Sequence, residues 1–184
     1  LGDARVLPYA DLIAGWRFFR PVPVGPDATL RTNHPTVQFE DRLTLDGANL
    51  VNVLYNLQDF DGPRRALHAA LAAARTGASH LEFPEVDALH HTVALRHRDG
   101  ALTPLAELSP GMLRLLLLCA MLLAPSPAPW IWIDRPDEGL DPWMVPLVPE
   151  LCRFAMKQAR VALVDPSPRL EGLLGALEVP KATP

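Results

Sequence analysis

Lysine is almost missing from this chain. Lys157 and Lys181 are the two lysines in 184 residues, and neither follows a glycine. With 17 basic against 21 acidic side chains the net charge is −4, which excludes a global positive field drawing the whole surface to nucleic acid and leaves room only for a local basic patch. Cysteine is equally scarce. Cys119 and Cys152 stand in apolar surroundings with no metal-ligand spacing, so they read as reduced core thiols and exclude a disulfide scaffold. No signal peptide is visible, and the longest apolar stretch, 112–124, falls short of the roughly 20 residues that cross a bilayer. The expectation is a cytoplasmic protein with no membrane span. The first residue is Leu1 rather than methionine, which predicts further residues upstream.

What is present is apolar and proline-rich. Hydrophobic residues make up 49% and mean hydropathy is +0.10, enough for one real core in a single globular domain. The 20 prolines, about twice the usual share of ~5%, predict short elements and many broken turns.

The chain is organised around residues 105–168. Leu108-Ser109-Pro110-Gly111-Met112-Leu113-Arg114 reads as a helix start. Ser109 caps free N–H groups, Pro110 suits the first helical position, and Gly111 keeps the backbone open to a close neighbour. Unpaired N–H groups and the helix dipole favour a phosphate at such an end. The following residues are nearly all apolar, so protein should surround the helix. Pro125-Ser126-Pro127-Ala128-Pro129 ends it. Trp130–Ile133 then reads as a strand buried on both faces of a parallel sheet, with Asp134 at the carboxyl end, where such sheets place ligands and where a carboxylate can hold hydrated magnesium. The expectation is one phosphate pocket shared by the helix start and Asp134. Val161–Val164 reads as the neighbouring strand, joined by a right-handed crossover.

This order, followed by Gly139-Leu140-Asp141-Pro142, resembles the carboxyl-terminal half of ABC-class ATPases of the RecF/SMC/OLD-like type, often described as AAA-family ATPases. Gly15-Trp16-Arg17-Phe18-Phe19 and Asp46-Gly47-Ala48-Asn49-Leu50 are similar to segments that precede the signature in that family, and the likeness spans most of residues 7–178. It implies an α/β P-loop NTPase fold, a parallel-sheet core with flanking helices and a small helical and β lead-in. The implied parts are a lead-in or lid at 1–104, a signature and Walker B lobe at 105–178 and a tail at 179–184. It also implies ATP and Mg2+ as cofactors and a homo- or hetero-dimer through the ATPase head, with DNA or an effector protein as a further partner. By resemblance Ser109, Gly111 and Arg114 belong to the signature that contacts ATP on a partner subunit. Asp134 is then the metal-holding Walker B acid, and Asp141 senses the partner.

Three positions depart from the family. Arg135 stands where a glutamate would polarise the attacking water, and a cation cannot serve as that base; Asp137 and Glu138 are the nearby substitutes. Pro166 in Asp165-Pro166-Ser167-Pro168 replaces the switch histidine and has no side-chain donor. No Gly-x-x-x-x-Gly-Lys-Ser/Thr phosphate loop occurs in the chain. Two readings follow: a signature half with weak or no hydrolysis alone, or a non-catalytic pseudo-ATPase serving as an interaction scaffold.

The remaining chain reads more simply. Val6, Leu7, Leu12, Ile13, Trp16 and Phe19 mark a short helix after Pro8, residues 21–45 an extended connection with a strand near Val37–Phe39, and Ala48 onward a helix through Leu57. Residues 58–62 read as a loop and 63–75 as an alanine-rich helix. Residues 79–103 read as two or three strands with an Asp99-Gly100 hairpin turn. His90, His91 and His97 read as surface or edge histidines. Trp143–Gln158 and Arg169–Glu178 read as helices.

Overall fold

The computed structural model describes residues 15–174. In chain order the elements are β1 (Arg17–Phe19), α1 (Leu50–Asn56), α2 (Asp61–Ala73), β2 (Ala78–Glu82), β3 (Ala94–His97), β4 (Leu102–Pro104), α3 (Pro110–Leu122), β5 (Trp130–Asp134), α4 (Leu147–Ala155), β6 (Arg160–Val164) and α5 (Pro168–Leu174). Single 3-10 turns occupy Thr29–Arg31, Leu57–Asp59 and Leu105–Glu107.

Two sheets result. One is parallel, in the order β1-β5-β6, with Ile131 beside both Arg17 and Val161, and Asp134 beside Val164. The other is an antiparallel meander, β2-β3-β4, turned at Asp99-Gly100, where Gly100 has φ 89°. As expected from its composition, α3 is the hub: Gly111 to Leu122 are all buried. It packs between α1 and α4, while Leu67 and Leu71 of α2 extend the same core.

A hydrogen-bonded turn starts α1. Asp46 Oδ1 accepts from Thr44 Oγ1 at 2.7 Å and from the Ala48 N–H at 3.1 Å, and Gly47 takes φ 74°. Three asparagines then line the extended segment before the helix. Asn49, Asn52 and Asn56 donate to the carbonyls of Arg42, Thr36 and Glu40. That grip replaces sheet pairing. The strand expected near Val37–Phe39 is therefore reduced to one bridge, Thr36 to His90, because side-chain amides satisfy part of its backbone.

Other expectations change in the same way. Residues 57–59 form a 3-10 turn and α2 already begins at Asp61, with the Asp61–Arg64 ion pair across its first turn. The helix expected over Trp143–Gln158 is confined to Leu147–Ala155, with Pro146 at its N-cap and Pro149 in its first turn, where a missing N–H costs no helical bond. His91 is buried, 4% exposed; its Nε2 donates to Asn52 Oδ1 at 3.0 Å and its ring meets Tyr55 and Phe83. It is a core histidine, not a surface one. His90 does lie outside, paired with Asp87, and His97 joins Thr103.

Strand β5 is not buried equally on both faces. Ile131 and Ile133 enter the core, whereas Trp130 and Trp132 are half-buried on the opposite face. There they stack on one another with centroids 5.8 Å apart, and Phe18 stacks on Trp132 at 5.6 Å. Aromatic breadth substitutes for a second helical layer there among the described residues. Of the stripe expected to form a helix after Pro8, Trp16 and Phe19 are described, and Arg17–Phe19 is strand β1 instead; its earlier residues and the part of the final helix beyond Leu174 lie outside the described residues.

Candidate functional site at the start of α3 and the tip of β5

Ser109 has the extended backbone of a cap, φ −60° and ψ 151°, and its Oγ accepts from the Met112 N–H at 3.1 Å. Pro110 follows in the first helical position, where its missing N–H leaves nothing unpaired. Ser109 and Pro110 are exposed, while every residue from Gly111 on is buried. The helix therefore exposes its cap and its first residue and nothing else.

A buried arginine sets the approach to that turn. Arg31, 5% exposed, donates from Nη1 to the carbonyls of Ala106 and Leu108 at 2.9 and 2.7 Å. Its Nε and Nη2 donate to Gly25 and Val24 at 2.7 and 2.8 Å. A planar fork with five donors suits this arrangement. The sequence carries no signal for it, because all its partners are backbone carbonyls and no acid marks the place.

Gly111 faces Asp141. A Cβ at Gly111 would lie 2.7 Å from Asp141 Oδ2 and 3.2 Å from its backbone nitrogen. Only a glycine lets the Gly139–Pro142 segment reach the helix this closely. The structure thus brings Gly111 and Asp141 together, with Ser109 two residues away.

The second turn of α3 reaches β5. Arg114 is 3% exposed and donates from Nη2 to the Arg135 carbonyl at 3.2 Å, while its Nε is buried without a partner among the described residues. Burial lowers its pKa first, and the nearby carboxylates of Glu138, Asp134 and Asp137 oppose that shift. Arg114 thus faces the strand tip instead of the exposed helix start.

At the tip, Arg135 has φ 44°. Its N–H donates to the Val164 carbonyl at 2.8 Å, and its carbonyl also accepts from the Glu138 N–H at 3.1 Å. Its guanidinium lies 2.7 Å from Glu138 Oε2 and 3.9 Å from Asp134 Oδ1. Asp137 turns the other way, accepting from the Ser167 N–H at 3.1 Å and from the Ser167 hydroxyl. Ser167 Oγ accepts from the Leu170 N–H in turn, so Asp137 steadies the start of α5. Neither Asp137 nor Glu138 is a carboxylate free of partners. Ser167, a residue sequence reasoning passed over, is what occupies Asp137.

An open cleft of about 410 Å³ sits here, lined by Arg135, Asp137, Glu138, Asp165, Pro166, Ser167 and Pro168. Ser109, Gly111 and Asp134 are not in its lining. The residues expected to share one pocket occupy two places, a helix start against Asp141 and the strand tip beside the cleft, and buried Arg114 runs between them. Gly111 and Arg114 lie along one face of α3: Gly111 meets Asp141, and Arg114, one turn further in, reaches the tip.

The parallel sheet flanked by helices is the arrangement of a P-loop NTPase fold. Residues 25–161 match the family described as "AAA domain, putative AbiEii toxin, Type IV TA system", and the chain belongs to that family. Its structure is similar to an SMC head bound to the C-terminal winged-helix domain of ScpA, with TM-score 0.50 and 17% identity over 64% of this chain and 38% of that one. The SMC head with an extended coiled coil from Pyrococcus furiosus, bound to the C-terminal domain of ScpA, gives TM-score 0.49 and 16% identity over 70% and 34%. An SMC ATPase structure described for ATP-driven dimerization and DNA-stimulated activation gives 0.49 and 16% over 66% and 77%. The match covers only about a third of the Pyrococcus furiosus chain's own length. No curated protein sequence matches it. Among the described residues, no helix is long and apolar enough to cross a membrane.

The family implies a magnesium ion at Asp134. The side chains present do not fit one as they stand, because the carboxylate already faces a guanidinium at 3.9 Å. Among the described residues, no group of three or more His, Cys, Asp or Glu stands close enough to hold an ion.

Proposed function

We propose that this chain is the signature-bearing part of an ABC-type ATPase head, presenting the start of α3 to the phosphates of ATP held by a partner subunit in a homo- or hetero-dimer, with little or no hydrolysis of its own. The observation that carries this reading is the first turn of α3. An exposed, serine-capped start on an otherwise buried 13-residue helix places the positive end of the helix dipole at the surface, where it favours a phosphate. Ser109 and Gly111 would meet the γ-phosphate, and Asp141 behind Gly111 would face the partner. Arg114 acts from beneath, holding the β5 tip against the helix. DNA or an effector protein remains a candidate further partner of the assembled head.

Hydrolysis in this chain would need a free carboxylate near Asp134. Arg135 engages Glu138 and Ser167 engages Asp137, and this favours the second reading, a pseudo-ATPase that keeps the fold as an interaction scaffold.

Equilibrium binding of a fluorescent ATP analogue to the chain together with a phosphate-loop-bearing partner subunit, with sedimentation to follow their assembly, tests the first reading. Gly111→Ala puts a methyl group onto the Asp141 carboxylate and should weaken binding or nucleotide-dependent assembly by about tenfold or more, the loss of one or two good contacts. Identical binding in Gly111→Ala and Ser109→Ala would remove the helix start from the site. A folded chain with no nucleotide-dependent behaviour would leave the scaffold reading.

A further inference from the structure

We infer that the Arg135 guanidinium is the resident cation of the β5 tip, so that this chain keeps divalent metal away from Asp134. The inference rests on reading Asp134 as the acid of a nucleotide site; its test uses metal alone, so a failure of nucleotide binding leaves it standing or falling by itself.

Arg135 is not an unconstrained surface arginine. Its backbone is held on three sides, by the Val164 carbonyl, the Glu138 N–H and the Arg114 guanidinium, in a left-handed conformation that a bulky residue adopts only when its surroundings impose it. The backbone so fixed sends the side chain between Glu138 and Asp134. A hydrated magnesium ion bound to a carboxylate oxygen places its other ligands within roughly 4 Å of that oxygen, given metal–oxygen distances of about 2.1 Å. The Arg135 Nε, 3.9 Å from Asp134 Oδ1, lies within that sphere.

Charge acts in the same direction as space. Two guanidinium groups, Arg114 and Arg135, face the carboxylates of Asp134, Asp137 and Glu138, and Asp137 is already committed to Ser167. Glu138 is committed to Arg135 itself. The two guanidinium groups offset two of the negative charges at the tip and repel a doubly charged ion.

Terbium titration of the full chain reads this directly, because Trp132 lies two residues before Asp134 on the same face of β5 and sensitises terbium emission. In the unaltered chain, emission should be the same with and without Asp134→Asn. Arg135→Ala should bind terbium at least about tenfold more tightly, as expected when one nearby like charge is removed, and Asp134→Asn in that background should abolish the gain. Arg135→Gln, which keeps length and polarity without charge, serves if near-ultraviolet circular dichroism shows that the alanine variant has lost its packing. Saturable terbium binding in the unaltered chain that magnesium displaces and Asp134→Asn removes would overturn the inference. So would an Arg135→Gln variant that folds and binds no more tightly than the unaltered chain.

Discussion

Arg31 and the two cysteines define what single side chains do here. Arg31 stands in a proline-rich stretch that reads as a mere connection, yet its four hydrogen bonds hold the start of that stretch, at Val24 and Gly25, to the residues just before Ser109. Arg31→Lys keeps the charge and loses the fork. It should lower stability by about 3 kcal/mol, since buried carbonyls left unpaired cost roughly 1–3 kcal/mol each; a urea midpoint nearly unchanged would show that the carbonyls find other donors. The thiols are the opposite case, legible at once from their apolar neighbours. Burial pushes the Cys119 and Cys152 thiols up to about 12, so neither is a thiolate at neutral pH. A disulfide-exchange reagent should leave both unmodified in the native chain and label both on unfolding, and rapid native labelling would contradict that burial.

At the scale of elements, close backbone approach decides where helices and turns can sit. Gly47 combines φ 74° with a position where a Cβ would stand 3.0 Å from Leu117 Cδ2 and 3.4 Å from Val22 Cγ1. The Asp46-Gly47 turn therefore presses against the middle of α3. Gly47→Ala should cost about 1–3 kcal/mol, adding left-handed strain to the contact with Leu117. Gly25→Ala, where nothing lies within 4 Å of the added methyl, should change stability by less than about 0.5 kcal/mol. Equal midpoints for the two variants in chemical denaturation would sink the packing argument. The turn itself was legible from Asp46-Gly47, but its contact was not, because Leu117 is 70 positions away in a helix that looks alike on every side. The capped start of α3 and the β5–β6 pair were legible too, since cap chemistry and short apolar runs are local. The wrongly placed boundaries at Asp61 and Leu147 lie where prolines and tertiary contacts compete with propensity.

Across the whole molecule, the His91–Asn52 link ties the extended segment and α1 to the residues that lead into β3. Burial lowers the His91 pKa, and burial together with His80 and Arg64 lowers that of His68. Above about pH 6.5 both histidines are neutral folded or unfolded, and their contribution is complete. As pH falls through 6.5 the unfolded chain takes up protons that the folded one refuses, so stability is lost and levels off only below the folded pKa values. Denaturation midpoints should therefore drop between pH 7 and pH 5. The drop should shrink in His68→Gln, and a drop of unchanged size would assign it to other groups.

The sequence by itself determined the class of fold, the capped apolar helix, the parallel strand pair and the departures at Arg135 and Pro166. All of these rest on local chemistry: a cap, a run of apolar residues, a residue type that lacks a needed group. Only the tertiary structure decided that Asp141 lies on Gly111, that Arg114 looks inward, that Ser167 occupies Asp137, and that Arg135 stands between Glu138 and Asp134. Those pairings depend on how distant segments rotate against one another, and the direction in which a side chain points from a helix or a strand tip is settled by packing that no local pattern records.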